Sequence, residues 1–132
     1  MLKYMLDTNI VIYTIKNRPA KVKALFNQNS GQMAISAITF GELIYGAEKS
    51  AQTERNLADI ESMAARLEVL AFDELAATHF GQLRAELAKS GKQIGPYDQM
   101  IAGHARSLGL VLATNNTREF KRVPGLRVAK WT

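Results

Sequence analysis

Tyr4-Met5-Leu6-Asp7-Thr8-Asn9-Ile10-Val11-Ile12-Tyr13-Thr14-Ile15 begins with a short apolar run, stops at an acid and continues with helical spacing. The run Tyr4-Met5-Leu6 reads as a strand covered on both faces. Asp7 or Thr8 then starts a helix over Asn9 to Ile15. The same unit recurs along the chain. Met33-Ala34-Ile35 reads as a second strand, followed by a helix from Ile38 to Lys49. Pro19 starts the intervening helix, with Val22, Leu25 and Phe26 on one face. Leu57, Ile60, Ala64 and Leu67 predict an amphipathic helix from Glu54 to Glu68, before a third strand at Val69-Leu70-Ala71-Phe72. Ala76, Phe80, Leu83 and Leu87 mark a helix closed near Gly91. Gly95-Pro96 breaks the chain, a helix runs from Asp98 to Leu108, and Leu110-Val111-Leu112-Ala113 is the fourth strand. A last strand falls within Leu126 to Trp131. Short apolar strands alternating with helices predict an α/β fold: a central parallel β-sheet flanked by helices on both faces, a three-layer α/β/α sandwich. Residues 1–132 are expected to form a single domain.

Apolar residues make up 47% of the 132 and charged residues 22%, enough for a core and unlike a disordered chain. The absence of cysteine excludes a disulfide scaffold, a thiolate zinc site and a thiol nucleophile, and suits a reducing cytoplasm. Two histidines leave carboxylates as the main supply of metal ligands. No apolar run is long enough to cross a membrane, and Asp7 interrupts the N-terminal apolar residues too early for a signal peptide. The net charge of +5 suits a polyanionic partner. Between Thr117 and Thr132, Arg118, Lys121, Arg122, Arg127 and Lys130 stand against one acid, Glu119. Such a tail is either a solvated surface or a phosphate-contacting one.

Ligands of parallel α/β sheets bind outside the carboxyl ends of the strands. Asp7 follows the first strand, Glu42 lies early in the helix after the second, Asp98 opens the helix leading to the fourth, and Glu119 follows the fourth. Each has an ordinary explanation. Asp7 fits an N-cap, Thr39-Phe40-Gly41-Glu42 has the form of a capping box, Asp98 complements a helix dipole, and Glu119 suits a solvated turn. Capping does not explain why one edge collects all of them. Clustered carboxylates repel unless a cation joins them. An oxygen-only, cysteine-free set fits Mg²⁺, with Mn²⁺ as a substitute, better than Zn²⁺.

These residues resemble the PIN-domain nucleases, in particular the VapC toxins of bacterial toxin–antitoxin pairs. Met5-Leu6-Asp7-Thr8-Asn9 resembles the first family motif and Ile38-Thr39-Phe40-Gly41-Glu42-Leu43-Ile44-Tyr45-Gly46-Ala47 the second. Ile94-Gly95-Pro96-Tyr97-Asp98-Gln99-Met100-Ile101-Ala102-Gly103-His104-Ala105 resembles the third, and Leu112-Ala113-Thr114-Asn115-Asn116-Thr117-Arg118-Glu119-Phe120 the fourth. The resemblance implies a PIN-like fold and a Mg²⁺-dependent endoribonuclease with Asp7, Glu42 and Asp98 as metal ligands. The family often has another acid where this chain has Asn116, so either Glu119 or Asn116 completes the site. Thr8, Thr114, Asn9 and Asn116 would position carboxylates and waters. The form of the third motif resembles the enterobacterial VapC branch, which implies initiator tRNA(fMet), cut in its anticodon loop, as substrate and inhibition of translation as outcome. It further implies a VapB antitoxin that blocks the acidic crevice, a homodimer, a larger toxin–antitoxin assembly, and operator DNA bound only through the antitoxin.

Arg84, Lys89, Lys92, Arg118, Lys121 and Arg122 are candidate RNA phosphate contacts. Tyr13, Tyr45 and Tyr97 are expected in the core rather than stacked on bases, and His79 and His104 are expected to serve packing rather than catalysis. Two other readings compete. One is a receiver-like signalling domain phosphorylated on Asp73, with Thr114 and Lys130 near strand ends, although Thr8 and Asn9 stand where a receiver carries a second acid. The other is a catalytically dead RNA-binding PIN module, suggested by Asn116.

Overall fold

A computed structural model describes residues 1–132. The strands are β1 (Tyr4–Leu6), β2 (Met33–Ser36), β3 (Glu68–Leu70), β4 (Val111–Thr114) and β5 (Val128–Lys130). The helices are α1 (Thr8–Lys16), α2 (Ala20–Gln28), α3 (Ala37–Glu48), α4 (Thr53–Ala64), α5 (Glu74–Ser90), α6 (Pro96–Leu108) and α7 (Thr117–Phe120). The five strands form one sheet in the order β3-β2-β1-β4-β5, and every pairing is parallel.

Successive strand residues point to opposite faces, and the two faces bury different helices. Met5 and Leu112 join Leu83, Leu87, Ile101 and Phe120, whereas Leu6 and Ala113 join Ile10, Val22, Phe26 and Leu43. Helices α1–α4 therefore cover one face and α5–α7 the other, which is the predicted three-layer sandwich. Helices α5 and α6 end at Gly91 and Gly109, both with left-handed backbone that glycine adopts without a Cβ penalty.

Helices α5 and α6 pack closely at Gly103 of α6, where a Cβ would lie 2.7 Å from the Phe80 nitrogen and 2.8 Å from the Phe80 Cα. Backbone cannot yield as a side-chain tip can. Gly103→Ala is expected to cost about 2 kcal/mol through overpacking, measured as a lower urea midpoint with an unchanged slope.

Several expectations change in detail. The helix predicted from Glu54 to Glu68 stops at Ala64, because Glu68 pairs with Ala34 and begins β3. Strand β3 ends at Leu70 rather than Phe72. It is also an edge strand, so Glu68 and Val69 are exposed instead of covered on both sides. The last strand contracts to Val128–Lys130. Pro96, not Asp98, is the first residue of α6, where a missing N–H costs nothing. Thr39 does not cap α3: the Ser36 hydroxyl accepts the Ile38 N–H at 3.1 Å, which places Glu42 in the second turn. The short helix α7 has no counterpart in the sequence reading, since its four residues are too few to show a period.

Candidate active site

From β1 the sheet extends through β2 to β3 on one side, and from β4 to β5 on the other. The crevice where connections diverge lies between the carboxyl ends of β1 and β4. Asp7 sits there, 5% exposed, and caps α1 by accepting the Thr8 N–H on Oδ1 at 2.8 Å. Its Oδ2 accepts the hydroxyl of fully buried Thr114, at the end of β4, at 2.8 Å. The Thr114 oxygen in turn accepts the Asn116 N–H at 2.9 Å, so the loop after β4 is fastened to the same carboxylate. Asp7 is thus both a helix cap and a member of the crevice.

The Thr8 hydroxyl donates to Glu42 Oε1 at 2.7 Å, with Thr39 Oγ1 3.4 Å away, and so ties α1 to α3. Asp98 is held in the first turn of α6 by Gly95 and Pro96. Burial pushes its carboxyl up to about 6, and repulsion from Asp7, Glu42 and Glu119 adds to the shift. Burial also raises Asp7, with a smaller push from Glu42, while the hydrogen bonds from Thr114 and Thr8 pull it back. Glu119 Oε2 accepts the Asn116 side-chain amide at 2.8 Å. The four acids singled out in the sequence therefore share one edge and act on one another electrostatically.

No protein cation relieves them. The one ion pair in the molecule joins Arg106 to Glu86 at 4.0 Å, so no Lys or Arg head lies within 4.0 Å of the four acids. No three Asp, Glu or His side chains are gathered closely enough to chelate an ion by themselves. An all-oxygen set of mutually repelling carboxylates, without histidine or thiolate, suits a hard divalent ion that keeps several waters.

The hydrogen bond from Thr114 offsets the burial of the Asp7 charge. Thr114→Val keeps the side-chain shape and removes that donor. It is expected to cost about 2 kcal/mol, the typical range for a hydrogen bond to a charged group, and to move the Asp7 titration further up, measurable by urea unfolding and by carboxyl NMR.

The other expected residues are placed unevenly. Asn9 is exposed, and its amide reaches Asn115 Oδ1 at 3.4 Å rather than any carboxylate, so it does not position the acids. Asn116 caps α7, its Oδ1 accepting the Glu119 N–H at 3.4 Å. Arg118 and Lys121 are exposed on and just after α7, beside the crevice. Arg84, Lys89 and Lys92 are exposed along α5 and the following loop, and Arg84 lies over the Phe80 ring. Arg122 donates to the Gln93 carbonyl at 3.3 Å and thereby joins the segment after α7 to the loop before α6.

His104 is buried, with Nδ1 2.8 Å from Ser36 Oγ and its ring edge-on to Phe72, so it serves packing as expected. His79 Nδ1 accepts from Arg106 Nε at 3.0 Å. Tyr13 is half-buried, its oxygen accepting from Asn115 at 3.2 Å. Tyr45 and Tyr97 contradict the expectation of core packing: they are 65% and 58% exposed, because their helix positions face outward from the sheet edge. Asp73 caps α5 by accepting the Ala76 N–H at 2.9 Å. It follows β3, which β2 separates from β1, so it cannot join Asp7 as a receiver phosphorylation site would require. Ser36 and Asn115 were overlooked. Ser36 was legible as a capping residue directly after an apolar run, whereas Asn115 carries no signal beyond its polar turn.

The comparisons with known proteins agree with this geometry. A family model described as PIN domain matches residues 4–126. The chain is 64% identical over 132 residues to a Shigella flexneri protein named tRNA(fMet)-specific endonuclease VapC, covering 100% of both. It is 61% identical over 131 residues to the protein of the same name from Salmonella typhimurium, covering 99% of both. The crystal structure of DNA-bound VapBC from Salmonella typhimurium contains a chain that superposes with a TM-score of 0.96 at 61% identity, with 100% of both chains covered. A chain of VapBC2 from Rickettsia felis, bound to a promoter DNA fragment, gives a TM-score of 0.93 at 36% identity, covering 99% of this chain and 100% of that one. With its motifs in register from β1 to α7 and its relatives matched end to end, the chain belongs to the PIN-domain family, in its VapC branch.

Proposed function

We propose that residues 1–132 act as one PIN domain, a Mg²⁺-dependent endoribonuclease toxin that works in the cytoplasm and is inhibited by a VapB antitoxin. The observation that carries this reading is the group of carboxylates at the β1/β4 crevice, left without any protein counter-charge in a chain of net charge +5. Asp7, Glu42 and Asp98 would hold the ion, with Glu119 as the fourth acid. The acids repel phosphate when alone, and the exposed Arg118 and Lys121 attract it.

Bound Mg²⁺ or Mn²⁺ supplies an activated water and neutralises charge that develops at phosphorus. The chain supplies orientation. Thr114 and the Thr8 N–H fix both oxygens of Asp7, and the Thr8 hydroxyl fixes Glu42, so the carboxylates do not turn when substrate arrives. Without an ion, burial and the neighbouring acids push the Asp98 carboxyl up to about 6; a bound cation would hold it ionised.

Initiator tRNA(fMet) as substrate is supported by the names of the relatives at 64% and 61% identity. A VapB partner and an assembly of toxin with antitoxin on promoter DNA are supported by the VapBC–DNA structures; that the antitoxin makes the DNA contacts belongs to the same proposal. A homodimer within that assembly belongs to the same reading. No helix is long and apolar enough to cross a membrane.

The test is cleavage of initiator tRNA with Mg²⁺, with EDTA, and after Mg²⁺ is restored. We expect cutting only when metal is present, and mapping of the ends should place the cut in the anticodon loop. RNA binding with no cutting under any metal condition would leave only the dead RNA-binding module. Cutting in EDTA would remove the metal mechanism. Cuts confined to other RNAs would remove the tRNA assignment.

A further inference from the structure

We propose that Tyr45 and Tyr97 form a stacking subsite for unpaired bases next to the scissile phosphate. This inference rests on the ribonuclease reading above. All the other aromatic side chains are buried or half-buried; Tyr45 and Tyr97 are 65% and 58% exposed. Both line one cavity of about 710 Å³, together with Thr8, Ile38, Gly41 and Glu42. Of the four acids, Glu42 lines that cavity. Tyr45 follows Glu42 by one turn of α3, on the same side of the helix, and Tyr97 immediately precedes Asp98 on α6. Each ring is therefore carried beside a carboxylate, on a different helix. Gly41 faces open space, since a Cβ there would meet nothing within 4 Å.

The chemistry selects a nucleobase. Aromatic faces beside a phosphate-handling centre recur where single strands are held, because every base offers a π-face. The Lys49 ammonium lies 5.0 Å from the Tyr45 ring centroid, so a cation for a flanking phosphate stands beside a ring for the base. A base inside a duplex already stacks on its neighbours and has no free face to offer. The subsite therefore discriminates against paired RNA without reading base edges.

The test uses the full chain and a stem-loop RNA that the wild type cleaves, measured as kcat/KM. Tyr45→Ala and Tyr97→Ala should each lower it about 10-fold, the scale of one lost base–aromatic stack. Tyr→Phe and Tyr→Trp at either position should stay near wild type, because the ring and not the hydroxyl is used. Abasic nucleotides beside the cut should lower the wild type by a similar factor and the Ala variants no further. Unchanged cleavage of the intact loop by the Ala variants would overturn the proposal, as would losses on the abasic loop equal to those on the intact one. So would Ala variants whose sole defect is escape from antitoxin inhibition, which would make this a protein-docking surface. A second arm binds 2-aminopurine-labelled single-stranded RNA to the Asp7→Asn protein. Quenching that depends on both tyrosines supports the subsite even if the wild type cuts no RNA, the result that removes the ribonuclease reading alone. Quenching that is absent, or indifferent to the tyrosines, removes the subsite alone.

Discussion

Asp7→Asn lowers Mg²⁺-dependent RNA cleavage by about 1,000-fold, the equivalent of the several kcal/mol that a properly held ion contributes. The substitution is informative because Asp7 has two tasks. Asparagine caps a helix about as well as aspartate, so the bond from the Thr8 N–H survives and α1 keeps its start. The charge is lost, and with it the acceptor that Oδ2 offers the Thr114 hydroxyl. Far-ultraviolet circular dichroism should therefore match the wild type while single-turnover cleavage collapses. Removing the Asp7 charge also removes one of the repulsions that raise Asp98, so the Asp98 carboxyl should titrate lower in this variant. A variant that retains activity within a factor of a few would show that Asp7 is a cap and nothing more.

Asp98→Asn changes stability and activity in opposite directions. Folding raises the Asp98 carboxyl from 3.8 to about 6, mainly by burial. Between those values the native chain binds more protons than the unfolded one, so stability falls as pH rises from about 4 to about 6, and the deficit then stays constant. Asparagine avoids that penalty. Discounted for the carboxyl's partial contact with water, the gain above pH 6.5 is about 1 kcal/mol, or a Tm increase of about 3–5 °C for a chain of this size. Below about pH 4 the difference vanishes, because the wild-type carboxyl is then neutral in both states. Thermal unfolding of metal-free protein at pH 4 and pH 7 reads the effect. Adding Mg²⁺ at pH 7 should raise the wild-type Tm by mass action and leave the variant nearly unmoved. Cleavage should be lost in the variant, an exchange of stability for activity that is common at functional sites. Equal metal-free Tm values at pH 7 would mean that Asp98 carries no electrostatic strain.

The sequence made the alternation of strands and helices legible because the strands are short and apolar and the helix ends carry glycine. Gly91 and Gly109 close α5 and α6 as their positions suggested. What failed was local competition that tertiary pairing decides. Glu68 continues a helical pattern on paper, yet the neighbouring β2 claims it for β3. Thr39 and Glu42 have capping-box spacing, but Ser36 lies three residues earlier, at the true start of α3. The acids at the sheet edge were legible because a parallel sheet directs the ends of its strands to one crevice. Their partners were less so. Asn9 and Asn116 each lie two or three residues from an acid, yet only Asn116 turns to its carboxylate, that of Glu119, whereas Asn9 turns to Asn115. Side-chain direction in a turn is set by neighbours that spacing does not reveal. Tyr45 and Tyr97 were expected inside because aromatics usually are; their exposure follows from which helix face meets the sheet.

The central claim is our proposal that Asp7, Glu42 and Asp98, with waters completing the shell, bind a divalent ion at the β1/β4 crevice, and Mn²⁺ titration followed by electron paramagnetic resonance tests it most directly. Wild type should bind one Mn²⁺ that Mg²⁺ displaces. Asp7→Asn, Glu42→Gln and Asp98→Asn should each weaken binding by at least about 10-fold, whereas Asp73→Asn, away from that crevice on the far side of β2, should bind as wild type does. Equal Mn²⁺ affinity across all five proteins would contradict the account.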